Sequence, residues 1–143
     1  MEKFKQIINS ALNYFGISEE DAWVNDKQWY HLEKGSAEIF IHLDRISINE
    51  NEEEKIDVVT FVSPLFKINS QMPLEFYMEA LKYNAFISDG SYFMIRNEFL
   101  QLRQCIVFEY ITAEYARYII DVISYWSDEI DDKLISKYRE YLD

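Results

Sequence analysis

Three glycines, two prolines and one cysteine in 143 residues leave few places for long irregular chain, sharp breaks or covalent cross-links. With Cys105 alone, no internal disulfide can form, and its place inside a strand pattern suggests an inert, buried or half-buried thiol in a reducing cytoplasm. Positive charge is also scarce: 14 Lys and Arg stand against 26 Asp and Glu, for a formal charge of -12. Such a chain repels phosphate backbones instead of displacing their counterions, which argues against a nucleic-acid partner. No apolar run approaches the roughly 20 residues of a membrane helix. Met1-Glu2-Lys3 opens an amphipathic segment where a signal peptide would turn apolar, so a soluble, unprocessed chain with no membrane partner is expected.

Chemistry-bearing motifs are missing too. There is no glycine-rich phosphate loop, no G-x-S-x-G and no H-E-x-x-H, and Cys105 has no base in sight. On these grounds no catalytic residue, cofactor or metal is expected, and the chain reads as a non-enzyme.

What is present is apolar and aromatic. A hydrophobic content of 49% and an aromatic content of 17% exclude a disordered composition. The length suits one domain over residues 1–143, burying about 70% of the unfolded surface. The most informative stretch runs from Pro73 to Trp126 and reads as helix, strand, turn, strand, helix. Pro73 fits a first helical position, Leu74, Met78, Leu81 and Ala85 recur at helical spacing, and Asn84 suits a left-handed cap before Ser88-Asp89-Gly90. A two-residue turn at Asn97-Glu98 pairs Ile95 with Leu100 and Phe93 with Leu102. That puts these four on a core face continued by Ile106 and Phe108, with Tyr92, Met94, Arg96, Phe99, Gln101 and Arg103 on the other. Thr112 offers an N-cap to a last helix with a Tyr115, Ile119, Val122 and Trp126 stripe.

Upstream, Phe4, Ile8, Ala11 and Phe15 mark a first helix that Gly16 can close, with Ile17 folding back. Residues 18–26 form an acidic connection pinned by Trp23. A turn at Lys34-Gly35 makes a second hairpin, with Tyr30, Leu32, Ala37, Ile39, Ile41 and Leu43 inward. Lys27, Trp29, His31, Glu33, Glu38, Phe40 and His42 then face outward, Trp29 directly across from Phe40. In that register His31 pairs with Glu38 and His42 with Lys27, on the order of 13 Å apart and too far to share a metal ion. The polar run Asn49 to Glu54 is a solvated, mobile loop. Ile56 to Phe66 is a central strand, apolar enough for cover on both faces. Asp128 and Asp132 can face one way on the last helix, but no second motif completes a site with them. The whole reads as α+β, in the order α-β-β-β-α-β-β-α, with an antiparallel sheet packed with helices.

That order is similar to the type III secretion chaperone-like fold. The phrases Gly35-Ser36-Ala37-Glu38-Ile39, Val62-Ser63-Pro64-Leu65, Leu81-Lys82-Tyr83-Asn84 and Gly90-Ser91-Tyr92-Phe93 resemble the YbjN-like family that shares it, over about Trp29 to Leu134. One departure is Ile68-Asn69, where the family often has Leu-Pro. The resemblance implies a small bacterial cytosolic protein of the kind described as sensory transduction regulators. Secretion chaperones of this fold are acidic homodimers that hold an extended stretch of an effector.

The outward face of the sheet is too apolar for a purely wet surface, and Trp29, Phe40, Tyr92, Met94 and Val107 are its candidate partner-binding residues. The favoured function is a chaperone- or adaptor-like protein-binding module, acting as a homodimer on an unidentified polypeptide. The alternative is a signalling or stress-response regulator working through protein contacts, with an enzyme third.

Overall fold

The computed structural model describes residues 1–50, 53–87 and 89–142. Helix α1 (Glu2–Tyr14) buries Phe4, Ile8, Ala11 and Leu12. It ends where glycine allows a left-handed residue: Gly16 has φ +74°. The Gly16 N–H reaches Asn13 O and the Ile17 N–H reaches Leu12 O, both at 3.0 Å, so the chain turns back as the sequence predicts. The acidic connection is more ordered than its composition implies. It holds a short helix α2 (Glu19–Ala22), capped by Ser18, and a short strand β1 (Trp23–Val24). Elements of this length carry no readable period. Trp23 packs edge-on against Tyr30 at 4.9 Å and does pin the segment.

Strands β2 (Trp29–Lys34) and β3 (Ala37–Ser47) pair through a turn at Gly35-Ser36, one residue later than expected. Gly35, with φ +64°, takes the first central position, where a tight hairpin turn favours a residue without Cβ. Leu32 therefore faces Ile39 and Tyr30 faces Ile41. The slip is by two residues in pairing, so the inward set is unchanged while every cross-strand partner is different. Strand β4 (Lys55–Lys67) lies between β3 and β6, and its register breaks between Pro64 and Phe66. A proline has no N–H for a central ladder, and a bulge is where one is tolerated. Of the acidic run before β4, Asn51 and Glu52 lie outside the described residues, as does Ser88.

Helix α3 (Leu74–Tyr83) starts one residue after Pro73, which is its extended N-cap. The apolar stripe read from sequence is its solvent side: Leu74, Met78 and Leu81 are 69%, 51% and 63% exposed. Phe76 and Ala80 are buried instead, and the Phe76 ring meets Phe66 at 5.6 Å and Tyr138 at 5.4 Å. Asn84 is right-handed, not a left-handed cap. Its side-chain amide acts as a strand would: Oδ1 accepts the Phe93 N–H at 2.6 Å and Nδ2 donates to Phe93 O at 3.2 Å.

Strands β5 (Tyr92–Arg96) and β6 (Phe99–Val107) follow the predicted register, with Ile95 opposite Leu100 and Phe93 opposite Leu102. Asn97 and Glu98 both have positive φ, 52° and 67°, as a tight hairpin turn requires. Ile95 shares the inner face but lies exposed at the outermost strand. Phe108 leaves the strand in a short 3-10 turn. Helix α4 (Ala113–Tyr138) begins at Thr112, whose Oγ1 accepts the Tyr115 N–H at 3.1 Å. Its core side runs through Ala116, Ile119, Ile120, Ile123, Ile130 and Leu134. Of the predicted stripe only Ile119 is fully buried, with Tyr115 exposed and Val122 and Trp126 half-buried.

The antiparallel sheet has the order β1-β2-β3-β4-β6-β5. One core cluster joins its inner face (Tyr30, Leu32, Ile39, Ile41, Val59, Phe61, Phe93, Leu100, Leu102) to α1, α3 and α4. The sequence predicts a central β4 covered on both faces; the helix-covered core lies on the Val59 and Phe61 side, and on the other side Val58 and Thr60 are buried as well.

Asn84→Ala leaves the Phe93 peptide groups without partners, at a cost of about 1–3 kcal/mol. Hydrogen exchange should quicken at the Phe93 amide first, and unchanged exchange there would show that the amide bridge contributes nothing. Glu79 accepts from Lys137 Nζ at 2.8 Å, Tyr138 Oη at 2.7 Å and Tyr83 Oη at 3.3 Å. Burial opposes its charge, but these donors outweigh burial and hold its carboxyl below the usual range. A lowered folded-state pKa contributes stability above the unfolded value and loses it as pH falls through the folded one. Glu79→Gln should thus lower Tm at neutral pH, and the gap to wild type should close as the pH falls through the lowered folded-state pKa of Glu79.

Candidate functional site

With the helices on one side, the other sheet face is filled only by its own side chains. A row of residues crosses five strands in direct register: His31, Phe40, Val62, Arg103 and Tyr92. Trp29, His42, Thr60 and Cys105 form the next row, and Val58 with Val107 lies beyond it. Phe40 is the centre of an aromatic group, stacked on His31 at 4.5 Å and meeting Trp29 edge-on at 5.9 Å. Met94 follows Tyr92 on the same side of β5. None of Trp29, Phe40, Val62, Tyr92, Met94 and Val107 belongs to the helix-covered core.

All five sequence-predicted partner residues therefore lie on one face, although not in one spot. Phe40, Tyr92 and Met94 sit in or beside the central row, Trp29 joins them through Phe40, and Val107 is at the far end of β6. The corrected turn moves the pairings. Trp29 is opposite His42 and diagonal to Phe40, and His31 is opposite Phe40. The two histidines are thus diagonal neighbours, about 7–8 Å apart and nearer than the sequence register placed them. Each imidazole has a carboxylate of its own: His31 Nε2 lies 2.8 Å from Glu38 Oε1 and His42 Nδ1 lies 2.9 Å from Asp44 Oδ2. Among the described residues no group of three or more His, Cys, Asp or Glu is placed to hold a metal ion.

Cys105 is exposed, not buried, because its strand position points to the uncovered side. Its Sγ lies 3.4 Å from Thr60 Oγ1 and 3.7 Å from Tyr92 Oη. Burial first, then the hydrogen bond and charge of Cys105, push the Tyr92 phenol upward, so this pair offers no base to activate the thiol.

The residue that sequence reading passed over is Arg103. It is only 7% exposed, flanked in its row by Val62 and Tyr92, and its Nε has no partner. Nη1 donates to Met94 Sδ at 3.6 Å, and no carboxylate forms an ion pair with it among the described residues. An Arg in an outward strand position signals a solvated charge; its desolvation follows only from the neighbours that the register supplies. In a chain of net charge -12, a nearly buried and unpaired guanidinium is the strongest local demand for an anion.

A second apolar surface lies on α3. Leu74, Met78 and Leu81 form its outward stripe, and Phe86, 70% exposed, continues it past the helix end. No helix among the described residues is long and apolar enough to cross a membrane.

Comparison with known proteins places the fold. No family model matches the chain, and no curated protein matches it in sequence. The YbjN-like resemblance therefore has no sequence match behind it. Among solved structures, a chain from the structure of the HopA1-SchA chaperone-effector complex is similar, with a TM-score of 0.62 at 8% identity, covering 90% of this chain and 93% of that one. A likeness at this identity is one of fold. The chain has the α+β, type III secretion chaperone-like fold that its order of elements implies.

Proposed function

We propose that this chain is a non-enzymatic, chaperone- or adaptor-like module that works in the cytoplasm as a homodimer and holds an extended polypeptide on the open face of its sheet. The observation that carries this reading is the row His31, Phe40, Val62, Arg103 and Tyr92, a largely apolar band around a guanidinium that, among the described residues, has neither an acid beside it nor a helix over it. Aromatic side chains and arginine are the residue types that dominate interface energy when a partner desolvates them. A segment with apolar side chains around an aspartate or glutamate matches the band: its carboxylate pairs with Arg103 and its apolar groups cover Phe40, Val62 and Met94. The solved chaperone-effector complex of the same fold supports a polypeptide partner. A regulator acting through protein contacts would use the same face.

The outward stripe of α3 is the proposed dimer surface. Leu74, Met78 and Leu81 are one helix face, and pairing two copies about a two-fold axis sets each stripe against its own image. The core anchors Phe76 and Ala80 fix which side of α3 points away, so the stripe is presented in one orientation.

Substitutions separate the two surfaces from the core. Ile41→Ala should cost about 2–5 kcal/mol in denaturant unfolding, as a cavity in a packed layer. Phe40→Asp and Arg103→Gln should keep the fold and abolish binding of acidic-apolar peptides selected from a random display library. Library peptides that bind these variants as well as wild type would remove the sheet face from the function. Leu81→Asp should reduce the mass seen by light scattering from dimer to monomer while leaving peptide selection intact. A wild-type monomer at tens of micromolar would end the dimer proposal and leave the peptide reading standing.

A further inference from the structure

Beside the open face, at the turn end of the sheet, the β2–β3 turn, Glu38 of β3, the β4 bulge and the second half of α4 line a polar notch of about 130 Å³. Its walls include Ser36 from the turn, Ser63 from β4, and Ser127, Asp128 and Asp131 from α4. Ser63 and Ser127 are 0% and 1% exposed, yet Ser63 Oγ, Ser127 Oγ and Asp131 Oδ1 have no hydrogen-bond partner. Buried hydroxyls and carboxylates are almost always partnered, so three orphans around one cavity indicate an occupant. The notch is also negative. Asp131 stands beside Asp128 and Asp132, and no lysine or arginine lines the space. The neighbouring Lys34 is engaged by Asp121 at 2.9 Å and Ser124 Oγ at 3.4 Å.

One of the carboxylates is already held in place. Ser36 Oγ donates to Asp128 Oδ1 at 2.5 Å, and Gly35 sits so close that a Cβ there would fall 2.8 Å from Asp128 Oδ2. The hairpin turn thus fixes the Asp128 carboxylate before anything binds. Ser63 is placed from the other side, on the residue before the bulge at Pro64. Water can satisfy the hydroxyls but leaves the carboxylate charge uncompensated; a cation answers both needs.

We propose that the notch is a binding site for one partly hydrated divalent cation of the calcium or magnesium class. Asp131 and Asp128 supply carboxylate oxygens, Ser63 and Ser127 supply hydroxyl oxygens, and waters complete the shell. At about 30 Å³ per water, the cavity takes an ion with three or four waters. Added to four protein oxygens, that reaches the six to eight ligands calcium takes, and magnesium is content with more of the waters. A donor set made only of oxygen disfavours zinc and copper, which prefer imidazole and thiolate. Two carboxylates and no dedicated loop imply weak binding, in the range of about 0.1–1 mM.

Calorimetric titration of the full chain with CaCl₂ and with MgCl₂, in metal-free buffer at high sodium chloride, tests the site, because the salt screens the acidic surface. The expected result is saturable binding of one ion per chain and a rise in Tm. Asp131→Asn and Ser63→Ala should each weaken binding by about tenfold or more. Glu114→Gln, in the first turn of α4 and away from the notch, should bind as wild type does. Circular dichroism confirms that each variant folds. Equal binding by wild type and Asp131→Asn would assign the ions to the general acidic surface and overturn the proposal. So would no saturable binding of either ion up to about 10 mM, which would leave the notch to water.

Discussion

The packing of α4 across the inner face of the sheet is the constraint on which the rest of the structure depends. Its buried residues run from Ala116 to Tyr138, and they meet β3, β4 and β6 while α1 packs beside it. A helix of this length spends its apolar face on one side of one sheet, and α1 and α3 join it on that side. The opposite face is left with whatever its alternating residues supply. That face is open because the helices are all used, and its chemistry is therefore the chemistry of β2 to β6 side chains in register.

The open face is asymmetric. At the β2 and β3 side the polar side chains are partnered, His31 with Glu38 and His42 with Asp44, and Thr60 Oγ1 donates to the same Asp44 carboxylate at 3.2 Å. At the β5 and β6 side Arg103 is left without an acid among the described residues. An acidic protein that spends many of its bases on ion pairs, such as Lys5 with Glu19, Arg45 with Asp57 and Lys137 with Glu79, yet keeps this one apart, concentrates its attraction for anions at one point. The edge strand that carries Tyr92 and Met94 is steadied by Asn84, whose amide occupies the outer peptide groups of Phe93. Pairing of another strand at this edge is thereby restricted.

The same long helix also carries polar residues into its buried side. Ser124 meets Lys34, and Ser127 opens onto the notch beside Asp128 and Asp131. Polar side chains within an apolar stripe weaken a helix's hold on a core unless something answers them. For Ser124 the answer is inside the protein; for Ser127 and its neighbours it is the occupant of the cavity. The two surfaces and the notch are therefore separate consequences of where α4 and α3 spend their apolar residues.

By itself the sequence determined the order of the main elements, the inward and outward sets of the hairpin strands, the Asn97-Glu98 turn and the glycine end of α1. These are local matters, set by period-two alternation, by positive-φ turn positions and by caps. It also placed Trp29, Phe40, Tyr92, Met94 and Val107 on one face, since a pairing slip of two residues leaves the faces intact. Tertiary structure alone decided which helix stripe turns inward. In α3 the weaker pair Phe76 and Ala80 is buried and Leu74, Met78 and Leu81 are left out, because Phe66 and Tyr138 are available to pack on one side only. It decided as well that Arg103 loses its water and that Cys105 keeps its own. On the last helix the sequence pairs Asp128 with Asp132 and shows no second motif; the notch instead takes Asp128 and Asp131, because Ser36 and Ser63 stand far away in the chain and reach them only when the turn, the bulge and α4 come together. Long-range proximity leaves no period in a sequence, and that is where both the row across the open face and the notch took shape.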